Sequence, residues 1–172
     1  IHSLRKINYP INNLEYVFIT HLHGDHAGGL PLLVLNLMHR EQGKIYISGP
    51  EGLENFINST YSQFYGIGDW KSVAKIKELS DTFPFNFEYI EGKHSIKNYI
   101  YKIRMDGKEI VYTGDTSRVN LSRFAKGVDY LFHEAADLNQ ERAQKYGHTT
   151  PVQAAEVAKE ANVKNLVLVH RP

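Results

Sequence analysis

The chain has 172 residues, no cysteine, a formal net charge of +1, and 42% apolar against 23% charged residues. Disulfides, thiolate nucleophiles and cysteine metal sites are therefore excluded, extended disorder is not supported, and no block of like charge supplies a general grip on nucleic acid or membrane. The size predicts one domain spanning 1–172; with no apolar run of about 18 residues and no signal-peptide pattern, the expected location is cytoplasmic.

Taken in chain order, the first strand-like run is "EYVFIT" at 15–20, which leads into "HLHGDHAGGLP". A helical pattern follows at 30–40, then a strand "KIYIS" at 44–48 and a second helix at 51–64. Tyr61, Phe64, Tyr65 and Trp70 form an aromatic cluster that reads as helix-end packing, with a lid over a site as the alternative. Strands are next expected at 85–90, 99–105 and 108–113, the last two joined by Asp106-Gly107, a strong hairpin signal that makes the sheet mixed. Further strands at 129–133 and 165–170 flank a helix at 150–161, where Thr150 caps, Pro151 suits the first turn and Gln153 completes a capping box. The alternation of strands and helices is an α/β arrangement. The chain opens at Ile1 and stops at "VHRP" directly after a strand-like run, so the domain is expected to be incomplete at both ends.

Four of these strands run into a His or an acid: His21, Asp115, His133 with Glu134, and His170. In open α/β sheets, ligands collect outside the carboxyl ends of strands, so this pattern predicts one shared site. His2 and His39 lie outside it, and His39, at a helix end, reads as a partner of the helix dipole. Within "HLHGDH", His21 and His23 are two apart and point the same way in extended chain. Gly24 lets the chain turn and swing Asp25 and His26 toward a second position, so one short loop implies two metal positions.

"THLHGDHAGGLP" resembles the signature of the metallo-β-lactamase-fold hydrolases, with His94 in "GKHS", Asp115 in "VYTGDT" and His170 in "NLVLVH" following in that family's order. The "HEA" at 133–135 and the segment 147–170 are most similar to the ribonuclease Z branch and its phosphodiesterase relatives. The resemblance implies an αββα sandwich of mixed sheets with outer helices. It places His21, His23 and His94 on one ion, Asp25, His26 and His170 on a second, and Asp115 between them. Two zinc ions are the first expectation, with manganese or iron as alternatives that accept the same ligands. The catalytic candidates are Asp25, His148 as proton donor or phosphate ligand, and Glu134 as the group orienting an imidazole, whereas His133 is read as structural. The expected function is dinuclear, metal-dependent cleavage of phosphodiester bonds, RNA among them, by a homodimer. The alternative is hydrolysis of a thioester, lactone or small cyclic phosphodiester on the same fold; a binding protein with a vestigial site is disfavoured by the complete ligand set. One departure from the ribonuclease Z pattern is that only 95–114 separate His94 from Asp115, so the long arm that holds tRNA is expected to be absent.

Overall fold

The computed structural model describes residues 6–39, 44–66 and 68–172. The chain divides into two compact units, Ile1–Asp81 and Thr82–Pro172. His2 and Arg40, the last residue of the helix expected at 30–40, lie outside the described residues.

The first unit begins with a 3-10 turn at Ile11–Asn13 and strand β1 at Tyr16–Phe18. Helices α1 (Gly24–Ala27) and α2 (Leu30–Met38) then lead to β2 at Ile45–Ser48. Helix α3 (Leu53–Tyr65) and a 3-10 turn at Trp70–Ser72 lead to β3 at Ala74–Ile76. The three strands pair in the order β1-β2-β3, all parallel. Parallel neighbours need crossover connections, and α1, α2 and α3 occupy them. Ile45, Ile47 and Ala74 pack with Leu33, Val34 and Leu37 of α2 and with Leu53 and Ile57 of α3. The aromatic cluster divides: Tyr61 and Trp70 are buried, with the Trp70 indole N–H donating to Asn58 Oδ1 at 2.7 Å, while Phe64 is 63% exposed. Packing at the end of α3 is thus the role of the first two. His39 follows the last turn of α2, is exposed, and donates its backbone N–H to Leu35.

The second unit holds β4 (Asn86–Glu91), β5 (Tyr99–Met105), β6 (Lys108–Tyr112), β7 (Tyr130–Glu134) and β8 (Leu166–Val169) in one sheet of that order. The first two pairings are antiparallel and the last two parallel. Antiparallel and parallel pairing thus meet in this sheet, as the Asp106-Gly107 hairpin predicts, whereas among the described residues β1, β2 and β3 pair all in parallel. Asp106 and Gly107 turn β5 into β6 with φ of 52° and 72°, the double positive φ of a type I′ turn that matches the twist of paired strands. Helix α4 (Gln140–Tyr146) and helix α5 (Pro151–Glu160) lie between β7 and β8. The α5 start is as read from sequence: Thr150 Oγ1 accepts from the Gln153 N–H and the Gln153 side chain accepts from the Thr150 N–H, at 3.2 and 3.1 Å. Val157, Ala158 and Ala161 then pack on Ile100, Val111 and Leu131 of the sheet. Since β6, β7 and β8 run the same way, their carboxyl ends share one edge of the sheet.

Candidate metal centre

In the first unit the loop leaving β1 gathers three imidazoles. His21 is fully buried, with Thr20 Oγ1 at 3.1 Å from its Nδ1 and His23 Nδ1 at 3.1 Å from its Nε2. The His26 ring centroid lies 4.1 Å from that of His21, and Asp25 Oδ2 lies 3.4 Å from His26 Nε2. Gly24 opens helix α1, so the turn expected there is one helical turn that carries Asp25 and His26.

In the second unit the shared edge of β6, β7 and β8 carries Asp115, Glu134 and His170. The buried Asp115 places Oδ1 at 2.9 Å from His170 Nδ1 and Oδ2 at 3.9 Å from His148 Nδ1. His170 takes a φ of 46°, an uncommon conformation for a side-chain-bearing residue that histidine tolerates better than most. The His148 ring stands between those of His94 and His170, at centroid distances of 5.1 and 5.5 Å. His94 Nδ1 donates to the Gly147 carbonyl at 2.8 Å, so Nε2 is the ring nitrogen that could hold a metal ion.

Glu134 is 0% exposed and its carboxylate is fully used. Oε1 accepts from the Thr116 N–H at 2.8 Å and from His148 Nδ1–H at 3.0 Å, and Oε2 accepts from the N–H groups of Ala136 and Thr149 at 3.0 and 3.1 Å. Four donors fill the carboxylate's lone-pair directions. Although Glu134, His148 and His170 offer ligand atoms within 4.8 Å of one another, Glu134 serves as an anchor for His148. The group that orients an imidazole is thus tied to a specific imidazole. Thr149 and Thr116 went unnoticed in the sequence: the Thr149 hydroxyl donates to the Thr116 carbonyl at 2.6 Å and binds the Asp115 loop to the start of α5. The only sequence trace of this is a pair of threonines after His148 and one after Asp115.

The donor atoms of both units are imidazole nitrogens and carboxylate oxygens, which suit zinc, manganese or iron rather than a soft, thiolate-seeking ion. His133 takes no part. It is fully buried in β7 with Nδ1 donating to the Glu134 carbonyl at 2.8 Å, and burial holds its imidazole below the ordinary histidine range. The fold accommodates the neutral ring, whereas the unfolded chain takes up a proton below about pH 6.5. Stability is therefore expected to be complete above that pH and to decline as pH falls below it. Denaturant midpoints measured from pH 7 to 5 should show this slope in the wild type and a flatter one in His133→Asn; equal slopes would remove His133 as its cause.

Residues 3–171 match the family described as Beta-lactamase superfamily domain. Ribonuclease Z of Metallosphaera sedula is 29% identical, over 93% of this chain and 71% of its own length. The crystal structure of human tRNase Z, short form, superposes with a TM-score of 0.82 at 28% identity, covering 99% of this chain and 77% of that one. A diphosphatase from the PhnP family shares the fold with a TM-score of 0.75 at 16% identity, over 99% of this chain and 64% of that one. Among the described residues no helix is long and apolar enough to cross a membrane. A family match across nearly the whole length leaves one assignment: the chain belongs to the beta-lactamase superfamily and has the metallo-β-lactamase fold.

Proposed function

We infer that the protein is a metal-dependent hydrolase that cleaves phosphodiester bonds. The observation that carries this reading is the Glu134–His148 pair, at 3.0 Å, beside Asp115 and His170. A positioned proton donor next to metal-type donors is what departure of an alkoxide from phosphorus requires. The likeness to Ribonuclease Z supplies the bond type. Two ions per chain are proposed, with zinc as first choice: His21, His23 and His94 on one, Asp25, His26 and His170 on the other, and Asp115 shared. Divalent ions held there would supply Lewis acidity for activating water and for stabilising charge on the phosphate oxygens. The chain's own groups do the rest. Glu134 accepts from His148 Nδ1–H, so that a proton on Nε2 can pass to the leaving oxygen as water adds to phosphorus and the P–O bond breaks, while the proton released by the water passes to solvent and the ring is reprotonated from solvent. Asp25 is retained as a catalytic carboxylate as well as a ligand.

The substrate is proposed to be a small or flexible diester, not precursor tRNA. Between His94 and Asp115 the chain forms only the tight β5–β6 hairpin. Its cations are already engaged: Lys102 pairs with Glu88 at 3.2 Å, Arg104 with Glu109 at 2.6 Å, and Lys108 lies 3.9 Å from Asp129. Cations so paired release few counterions on meeting a polyanion, and binding should depend weakly on salt. Specificity constants for a dinucleotide diester and a precursor tRNA across a salt series test this. The expected outcome is turnover of the diester and poor cleavage of the tRNA with a shallow salt slope. Efficient, site-specific tRNA 3′ cleavage with a steep slope would overturn it.

A further inference from the structure

The geometry points to Gly147 as a positioning residue that ties metal binding to proton transfer; the inference rests on the metal-centre reading above. Helix α4 ends in a Schellman motif: the His148 N–H donates to the Ala143 carbonyl at 2.8 Å, the Gly147 N–H to the Gln144 carbonyl at 3.3 Å, and Gly147 takes the left-handed φ of 77°. Such a motif ordinarily just stops a helix. Here both of its terminal residues face the site. The Gly147 carbonyl accepts from His94 Nδ1–H at 2.8 Å, and the next side chain along is His148, held by Glu134. One peptide thus fixes the tautomer of a ligand and the placement of the proton donor.

The rest of the unit holds that peptide still. Asn139 caps the start of α4, accepting from the Arg142 N–H at 2.9 Å, and Arg142 forks onto both oxygens of Asp137 in the loop after β7. A Cβ built on Gly147 would stand 2.8 Å from His94 Nδ1 and 3.3 Å from its Cα. The backbone of His94 cannot yield as a flexible side-chain end would. Glycine is therefore required at 147 twice over, by its φ and by the approach of His94. A side chain there should turn or displace His94 and move His148 with the same peptide.

Gly147→Ala is compared with Gln144→Gly, which weakens exposed α4 without placing an atom beside His94. Zinc affinity, by competition with a chromophoric chelator, is expected to fall about 10–100-fold in Gly147→Ala, the range for a lost partner of a ligating histidine. Gln144→Gly should stay near the wild type. Hydrolysis of diesters with poor leaving groups should fall further in Gly147→Ala than that of nitrophenyl diesters, because His148 has moved. Nitrogen-15 shifts of the His94 ring in the metal-free wild type should report the Nδ1–H tautomer. An Nε2–H tautomer, unchanged zinc affinity in Gly147→Ala, or equal losses in both variants would each overturn the assignment. A wild-type chain that binds no zinc or manganese would overturn the metal-centre reading, while the His94 tautomer would still decide the part played by Gly147.

Discussion

His148→Ala is expected to lower turnover of a dinucleotide diester by about 10²–10⁴-fold, the usual range for loss of a general acid or base, while metal content stays near that of the wild type. The expectation follows from what His148 touches. Its Nδ1 is held by Glu134, an anchor whose remaining lone pairs are taken by three backbone N–H groups, so the ring is oriented independently of any ion. The loss should shrink for nitrophenyl diesters, because nitrophenolate leaves without a proton. Steady-state kinetics on both substrates, with metal analysis of the same preparations, checks it. A variant stripped of metal, or equally impaired on both substrates, would assign His148 to another role.

Asp115→Ala is expected to empty both proposed ion positions together and to reduce activity to near background, whereas His170→Ala should weaken mainly one. Asp115 is 2% exposed and reaches His170 with one oxygen while the other lies toward His148. Glu134, the buried carboxylate at the same edge of the sheet, cannot replace it, because it is committed to its four donors. Metal stoichiometry of reconstituted protein should be about two per chain in the wild type, near zero in Asp115→Ala, and intermediate in His170→Ala. Equal, independent losses in the two variants would count against a shared carboxylate. A wild-type value of zero after reconstitution with zinc or manganese would end the two-ion reading.

Features that depend on near neighbours in the chain were legible before the fold was known. Asp106-Gly107 specified the turn, Thr150 and Gln153 the start of α5, and the ends of β6, β7 and β8 the places that carry Asp115, Glu134 and His170. Two short elements, β3 and α4, were not. Ala74–Ile76 forms β3 with three residues, too few for an alternating pattern, and its partner β2 decides its state. Helix α4 carries start and stop residues in Asn139 and Gly147, but its seven positions bury only Ala143 and show no apolar stripe. A contact of Glu134 with an imidazole was legible, though which imidazole was not. The contact with His148 spans fourteen residues of chain, and the backbone N–H groups that fix the carboxylate belong to residues of any type. Such donors leave no compositional mark.

The pairing order of the five-stranded sheet has a consequence for how that unit assembles. β4, β5 and β6 are consecutive antiparallel neighbours with short connections, so their pairing closes small loops at little entropic cost. β7 and β8 join in parallel only after the long connections 113–129 and 135–165 have been laid down. Asp115, Glu134, His148 and His170 all lie on or beside those late-joining pieces. During folding the meander is therefore expected to gain amide protection first, and the chemically active edge last. A divalent ion that recognises only the finished edge would act as a latch on the slow step of unfolding, leaving the rate at which the meander forms unchanged.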